Sequence, residues 1–297
     1  MGWHYRGMSN AIRPPQSSLI DRLPPHGFFM VSAVFHYLGP SFAVLLFSHV
    51  GVLGVAWLRI ASAGAIFALW RRPWRVLIFG DRRTRLLILA LGITLALMNA
   101  AFYLAISRMP LATVAAIEFL APVGIALAGV RSLRNAVALM VAVAGVSLLI
   151  GFQWSDDRFG ILFAAINAVL FGIYIVLDHA ISRAGGAGGI DRLGVAMLVA
   201  LVVAMPIGIK DVVPVLSMPA LILAGIGVGI TSSVIPYICD QLAMARLPRS
   251  TFTLMLTMLP ATAAIVGAVV LNQVPSPVEI GGILLVVIGV GVHKPAD

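Results

Sequence analysis

Cysteine and charged side chains are scarce in this sequence. It contains a single cysteine, Cys239, and charged residues make up 10% of its 297 positions. One cysteine excludes an intrachain disulfide and a cysteine-based metal cluster, so we expect Cys239 to serve in packing. Soluble domains usually carry about 25% charged residues. The shortage of charge therefore argues against a soluble protein.

Motifs that identify enzymes are also missing. The sequence has no phosphate-binding loop with lysine, no Ser/His/Asp set and no metal signature. We therefore predict neither an enzyme nor a bound cofactor or metal. The net charge of +9 comes from basic residues in short clusters between apolar runs. This distribution argues against a nucleic-acid partner, which requires basic residues on one face.

Apolar residues dominate what is present. They make up 61% of the chain, and about 20 such residues in a row can cross a bilayer core of about 30 Å. Residues 1–27 lack the apolar core of a secretory signal, and we expect a disordered tail there. We predict an all-α integral membrane protein with ten transmembrane helices, at residues 28–47, 51–70, 86–106, 110–130, 135–151, 159–181, 193–209, 219–242, 249–271 and 277–293.

Basic residues in the loops predict the orientation. The loop between the second and third segments holds six arginines, whereas the loops on the other side of the membrane carry only three basic residues, Arg108, Arg158 and Lys210. Because loops rich in Lys and Arg stay in the cytoplasm, both termini are predicted to be cytoplasmic. We expect a multi-pass protein of the cell inner membrane, with the lipid bilayer as its surroundings.

An internal repeat relates the two halves of the chain. At an offset of 138 residues, Arg108, Pro110 and Pro122 align with Arg246, Pro248 and Pro260. The repeating unit then contains five helices, and an odd number of helices turns the second copy over. We predict two inverted repeats, at residues 28–151 and 152–293, between the N-terminal tail and a C-terminal tail at 294–297.

Two charges lie deep inside predicted helices. Glu118 is eight residues past Pro110, and Arg59 is eight residues past Gly51, so both lie ~12 Å into the bilayer at ~1.5 Å per residue. Such charges are functional candidates by default. Glu118 and Arg59 could form a structural ion pair, or they could line a cavity. In the second case Arg59 would receive a substrate carboxylate, and Glu118 an ammonium group or a proton.

Other polar residues fall within the apolar runs. Asp240 lies six residues before Arg246, either near the interface and paired with Arg246 or Arg249, or in a site. Asp178 and His179 are interpreted as a solvated helix end. The remaining candidates share helix faces in pairs, as interhelical contacts or as a pathway lining: Asn99 with Tyr103, Asn167 with Tyr174, and Tyr237 with Gln241.

Proline and glycine predict local departures from regular helix. Each proline inside an apolar run removes a backbone hydrogen bond and permits a kink. The Gly-x-x-x-Gly spacing at 225–229 predicts close helix packing, and the glycine-rich stretch at 185–189 predicts a flexible linker. The prolines in question are Pro40, Pro122, Pro206, Pro236 and Pro260.

Several motifs, taken in order, resemble those of the EamA-type transporters of the drug/metabolite transporter superfamily. Within that superfamily they are similar to the threonine/homoserine exporter branch. The resemblance extends over nearly the whole chain from the first to the tenth segment. The motifs are WLRI (57–60), RRPWR (71–75), MNAAFYLAI (98–106), AIEFLAPVGIAL (116–127), FGIYIVLDHAISRAG (171–185), IPYICDQLAMARLP (235–248) and TFTLMLTMLPATAAIVG (251–267).

This resemblance implies a ten-helix inverted repeat with both ends cytoplasmic. It further implies export of small amino acids or related metabolites, driven by protons, with Glu118 and Arg59 as recurring features. Similar proteins often carry a second glutamate just before the proline of the ninth helix, where this chain has Leu259. Asp240 stands where they often have a glutamate, so the acidic character of the eighth helix is kept.

Two further functions stay open at this point. A membrane glutamate also suits lipophilic cations, so the protein could export cationic drugs, although it has few aromatic residues (5 Trp and 5 Tyr). Alternatively, it could be a non-transporting membrane protein in which Arg59 and Glu118 form a structural ion pair.

Overall fold

The computed structural model describes residues 23–76, 80–127, 133–152, 157–183, 186–247, 252 and 255–292. Most of the predicted N-terminal tail and all of the C-terminal tail at 294–297 lie outside these residues. The first helix begins at Pro25, so the predicted tail is too long at its C-terminal end. No β-strand occurs in the part of the chain that the structure describes.

The helices follow the predicted apolar segments closely. We number them α1 to α12 in chain order. Their bounds are α1 Pro25–Val50, α2 Val52–Arg71, α3 Arg82–Ile106, α4 Leu111–Glu118, α5 Leu120–Leu127, α6 Leu133–Phe152, α7 Arg158–Ser182, α8 Gly186–Val212, α9 Pro219–Gly229, α10 Ile235–Met244, α11 Leu259–Leu271 and α12 Pro277–Val292.

Six helical stretches are long and apolar enough to cross a membrane. They are Pro25–Val50, Val52–Arg71, Arg82–Ile106, Arg158–Ser182, Gly188–Val215 and Pro219–Met244. Shorter apolar helices occupy the predicted fourth, fifth, ninth and tenth segments. Length and composition thus support membrane insertion independently of any motif.

Three predicted segments depart from regular α-helix. The fourth is divided into α4 and α5 by a turn at Phe119, and the eighth contains a π-helix at Ile230–Val234 between α9 and α10. The ninth contains a 3-10 turn at Leu256–Met258 before α11. Prolines stand just after all three departures, at Pro122, Pro236 and Pro260. In contrast, Pro40 and Pro206 lie inside the continuous helices α1 and α8.

Helix packing follows a regular scheme. α2 packs against α8, and α6 packs against α12. α3 packs against α7, and the α9–α10 stretch packs against α1. In addition, α4 contacts α7, and α11 contacts α1. The polar residues discussed below lie on α1, α2, α3, α4, α7 and α10 and in the π-helix between α9 and α10.

Glycine permits a close contact between α2 and α9. A Cβ atom at Gly225 would lie 2.8 Å from Leu58 Cδ1, and one at Gly229 would lie 2.8 Å from the Arg59 carbonyl oxygen. Both distances are too short for an alanine, so the close packing predicted for residues 225–229 is confirmed. The flexible linker predicted at 185–189 is wrong from Gly186 onward, because α8 begins there and Gly189 packs against Gln241 and Ser182.

Candidate functional site

Glu118 is buried between α4, α1 and α7. The Tyr37 hydroxyl on α1 donates to its Oε2 at 3.2 Å, and Asn167 Nδ2 on α7 donates to its Oε1 at 2.9 Å. The side chain is 3% exposed. Each carboxylate oxygen therefore has one neutral donor, although a carboxylate offers about four acceptor positions. Glu118 keeps capacity to accept further hydrogen bonds.

The position of Glu118 depends on the break in its helix. α4 ends at Glu118. In a continuous α-helix the N–H of residue 122 would donate to the Glu118 carbonyl, but this residue is Pro122. Proline has no N–H, so this hydrogen bond cannot form. The sequence EFLAP thus combines a carboxylate with the proline that interrupts its helix. Helix breaks of this kind at membrane depth are tolerated where they are buried in protein or line a cavity.

Arg59 on α2 is buried too, and its guanidinium is held by the π-helix. Nε donates to Ser233 Oγ at 2.7 Å, and Nη2 donates to the Ser232 carbonyl at 2.6 Å. The Tyr237 hydroxyl is a more distant acceptor for Nη2 at 3.5 Å, and the guanidinium carbon lies 5.6 Å from the centre of the Tyr103 ring. Nη1 makes no hydrogen bond with the described residues.

The π-helix explains why Arg59 has this partner. A π-helix pairs each carbonyl with the fifth residue onward instead of the fourth, and such segments often occur at functional sites. The widened turn at Ile230–Val234 presents the Ser232 carbonyl to Arg59. α1 approaches the same segment at Gly39, where a Cβ would lie 2.6 Å from Ser232 N. The arginine and the π-helix therefore stabilise one another.

Arg59 and Glu118 do not form a direct ion pair. Both ion pairs in the described part of the chain lie at helix ends, Arg71 with Asp191 at 2.7 Å and Arg108 with Asp157 at 2.9 Å. Arg59 and Glu118 are close enough to interact electrostatically, yet each is held by its own neutral partners. The structural ion pair considered from the sequence is therefore not the arrangement observed.

Asp178 corrects another interpretation from the sequence. A solvated helix end was expected, but Asp178 is fully buried, and Gln241 Nε2 donates to its Oδ1 at 2.6 Å. Sequence spacing placed Asp178 near Arg183 at the end of α7 and could not reveal a partner 63 residues away. His179, its neighbour, is partly exposed, as expected for that position.

Asp240 lies on α10 at the wall of a cleft. The cleft is narrow, with a volume of about 10 Å³, which is on the scale of a single water molecule. Asp240 is 5% exposed and forms no ion pair with Arg246, whose Nη1 donates to the Leu23 carbonyl. Pairing with Arg246 is therefore wrong, and Arg249 lies outside the described residues. The cleft is lined by Phe29, Ser32, His36, Phe171, Tyr174, Ile175, Asp240, Phe252, Leu256 and Leu259.

The remaining predicted residues are all buried near these groups. Asn99 Nδ2 donates to the Leu95 carbonyl within α3, and Asn99 lies close to Tyr237. The Tyr174 and Tyr237 rings are 5.8 Å apart. The structure thus places the predicted residues in three clusters of polar side chains. Glu118 lies with Asn167, and Arg59 lies with Asn99, Tyr103 and Tyr237. Tyr174 lies with Asp240 and Gln241.

Sequence reasoning missed several members of the site. Tyr37, His36 and Ser32 lie on α1, which carried no candidate at all, and Ser232 and Ser233 lie in the π-helix. The spacing from Ser32 through His36 gives i, i+4 neighbours on one helix face. That pattern could have identified the α1 face. The serines have no comparable signal, because only the π-helix brings them to Arg59.

Comparisons with known proteins agree with this architecture. The EamA-like transporter family matches residues 158–292. The threonine/homoserine exporter RhtA of Escherichia coli strain K12 is 33% identical over 82% of this chain and 81% of its own length. The Salmonella typhimurium LT2 protein of the same name is 31% identical over the same shares. One solved crystal structure, 17% identical, superposes with a TM-score of 0.60 over 91% of this chain and 97% of the other, which supports the fold.

Proposed function

The chain belongs to the EamA-like transporter family and is a multi-pass membrane protein, and from this premise we propose that it exports small amino acids across the inner membrane. Threonine and homoserine are the first candidate substrates, because relatives named as their exporters are 31–33% identical to it. We propose proton antiport as the driving reaction. A secondary transporter of this kind needs no bound cofactor.

The proposal is carried by one observation. Glu118 and Arg59 are two buried residues of opposite charge that lie near each other without forming an ion pair. A zwitterionic amino acid presents an ammonium group and a carboxylate. Glu118 retains acceptor capacity for the ammonium group. Arg59 retains Nη1 for the carboxylate, while its other nitrogens are fixed by Ser232 and Ser233. A guanidinium fixed in this way is preorganised for carboxylate binding.

Neighbouring polar groups complete the proposed site. Tyr103 on α3 and Tyr237 on α10 lie beside Arg59, Asn99 lies beside Tyr237, and Asn167 orients Glu118. The Tyr103 hydroxyl approaches the Arg59 guanidinium but does not meet hydrogen-bond geometry, and Asn167 Oδ1 is buried without a hydrogen-bond partner. Buried polar atoms rarely stay unsatisfied in a native structure. A small polar substrate would supply the missing partners.

We propose that the scaffold is the inverted repeat expected from the sequence, with ten spans and both termini cytoplasmic. Packing supports this arrangement. At the 138-residue offset, α1 corresponds to α7, and α3 corresponds to the α9–α10 stretch. The contact of α3 with α7 then matches the contact of the α9–α10 stretch with α1. The offset also carries Glu118 at the end of α4 to Leu256 at the start of the 3-10 turn. Both proposed repeats, 28–151 and 152–293, are therefore distorted at the same position.

Efflux of labelled threonine and homoserine from cells overexpressing the protein tests the proposed function. The wild type should accelerate efflux, and Glu118→Gln should abolish it at equal membrane abundance. Glu279→Gln is a matched control, because it removes another buried carboxylate, which caps α12 through the Ser276 N–H. Efflux by Glu118→Gln at the wild-type rate would contradict the assignment of the site.

A second candidate is export of organic cations. Aromatic rings line part of the cleft, namely Phe29, Phe171, Tyr174 and Phe252, and aromatic faces attract cations. Growth of overexpressing cells on a panel of toxic cations would detect this activity. Resistance without amino-acid efflux would favour the second candidate over the first.

The non-transporting alternative requires a structural role for Arg59 and Glu118. The swapped double variant, Arg59→Glu with Glu118→Arg, would keep function if only their attraction mattered. We expect the swap to abolish efflux, because the π-helix carbonyl of Ser232 then loses its donor and the Tyr37 hydroxyl loses its acceptor. Efflux at the wild-type rate in the swapped protein would support the structural role.

A further inference from the structure

A second group of acidic residues lies apart from Glu118 and Arg59. We call it the aspartate cluster and define it as Tyr174 and Asp178 on α7 with Asp240 and Gln241 on α10. Tyr174 and Asp178 are four residues apart and share a helix face. Asp178 interacts electrostatically with Asp240, and Tyr174 interacts with both.

Within the described residues, the aspartate cluster has no cation paired with either carboxylate. Neither aspartate takes part in the ion pairs of the described residues. Arg192 on α8 directs its Nη1 to the Ile181 carbonyl at 3.4 Å instead. The other titratable groups that face the cluster are His36 on α1, which shares the cleft wall, and Tyr237 and Cys239 on α10. Two buried carboxylates without a cation are costly to ionise together.

Unsatisfied oxygens provide an independent sign of a missing ligand. Asp178 Oδ2, the Tyr174 hydroxyl and Gln241 Oε1 are buried without a hydrogen-bond partner. Tyr174 is 2% exposed and approaches Asp178, but the two side chains do not meet hydrogen-bond geometry. Asp178 Oδ2 and Gln241 Oε1 can only accept, so a proton or another cation would satisfy them, whereas an anion would not, and the Tyr174 hydroxyl can donate or accept.

The aspartate cluster borders the cleft on one side and is connected to Arg59 on the other. Asp240 and Tyr174 line the cleft, together with Ser32 of α1. On the other side, the Tyr174 and Tyr237 rings are in contact, and the Tyr237 hydroxyl accepts from Arg59 Nη2 at 3.5 Å. A change of charge in the cluster can thus reach Arg59 through two tyrosines.

On this geometry we propose that the aspartate cluster is a proton site separate from the amino-acid site. Asp178 and Asp240 hold the proton that is exchanged for substrate, and Glu118 and Arg59 hold the substrate. The inference rests on the proposed function, because it divides the exporter's polar core into a coupling part and a binding part.

Proteoliposomes containing the full chain can separate the two parts. Labelled threonine is followed in two assays, accumulation driven by a pH gradient and threonine–threonine counterflow without a gradient. We expect Asp178→Asn and Asp240→Asn to keep counterflow but to lose the pH-driven stimulation by about 5–150-fold, the usual range of coupling between two sites. Glu118→Gln should lose both activities. Asp81→Asn, an exposed helix cap on α3, is the matched control and should keep both.

Each result decides a different point. Retained pH-driven accumulation in both aspartate variants would overturn the inference, as would accumulation driven by a sodium gradient instead. Equal loss of counterflow and accumulation would also overturn it, because the cluster would then belong to the substrate site. Asn at position 178 keeps an oxygen for Gln241 Nε2, so the fold should tolerate it.

A second readout does not depend on transport. If the wild type moves no threonine in either assay, the proposed substrate fails, and the proton site is judged by infrared spectroscopy on the purified protein at neutral pH. The carbonyl stretch of a protonated carboxyl group should be present in the wild type and in Asp81→Asn. Its intensity should fall in Asp178→Asn or Asp240→Asn, in which Glu118 and Glu279 remain as other buried carboxyl groups. A band unchanged in both variants would overturn the inference.

Discussion

The approach of α1 to the π-helix at Gly39 leads to a quantitative prediction for Gly39→Ala. The new Cβ would lie 2.6 Å from Ser232 N and 2.7 Å from Ser232 Cα. These are backbone atoms, so no side chain can rotate away. Overpacking of this kind typically costs about 1–3 kcal/mol. Because Ser232 also accepts from Arg59, the displacement should disturb the proposed site.

Gly27→Ala on the same helix is the matched control. A Cβ there would meet only Pro24 Cγ, at 3.8 Å, which is an ordinary contact. Gly39→Ala gains about 0.5–1 kcal/mol of helix propensity in the helix interior, and Gly27→Ala, in the first turn of α1, gains no more than that. A lower stability of Gly39→Ala than of Gly27→Ala is therefore caused by the contact with Ser232, and the difference should amount to about 1–3 kcal/mol.

Thermal unfolding of the purified proteins in detergent measures this difference. For chains of comparable size, about 1 kcal/mol shifts the midpoint by roughly 2–4 °C. Gly39→Ala should therefore unfold roughly 2–12 °C below Gly27→Ala. It should also export more slowly. Equal midpoints and equal efflux would refute the close packing of α1 against the π-helix.

Three more predictions follow from single contacts. Asn167→Ala should reduce efflux more than Tyr37→Phe does. The reason is that Asn167 forms the shorter hydrogen bond to Glu118, at 2.9 Å, compared with 3.2 Å for Tyr37. A larger loss of efflux in Tyr37→Phe would contradict this reasoning. Arg59→Lys should lose most efflux, since a lysine cannot bond Ser232, Ser233 and a substrate carboxylate in the same fork geometry; efflux at the wild-type rate would speak against it. Finally, the Gly160 N–H and then Arg108 lower the pKa of Asp157, which caps α7. This stabilisation is present at neutral pH and is lost as the pH falls through that lowered pKa. The acid sensitivity of unfolding should therefore be smaller in Asp157→Asn, and an unchanged pH profile would contradict the role of the cap.

The fold was largely predictable because membrane helices have a strong sequence signal. Long apolar runs predicted where helices lie. Three of the five prolines, Pro122, Pro236 and Pro260, also predicted where helices are distorted, whereas Pro40 and Pro206 lie in continuous helices. The kind of distortion was not predictable. A π-helix at Ile230–Val234 depends on Arg59 and Gly39 from other helices, and such partners are invisible in a local pattern.

The site was only partly predictable for a related reason. A lone charge in an apolar run identifies itself, so Glu118, Arg59 and Asp240 could be singled out. Asp178 lies close to Arg183 in sequence and was assigned to solvent, although the fold buries it against Gln241. Tyr37 had no signal, since a tyrosine in an apolar helix is ordinary until Glu118 is placed opposite its hydroxyl.

Direct binding of threonine to the purified protein tests the central claim that Glu118 and Arg59 form a substrate site. Equilibrium dialysis with labelled threonine should show saturable binding to the wild type and to Glu279→Gln. Loss of a hydrogen bond to a charged group costs about 1.5–3 kcal/mol, so Glu118→Gln should bind roughly 10–150-fold more weakly, since 1.4 kcal/mol is a factor of ten. Equal affinity of the wild type and Glu118→Gln would contradict the claim.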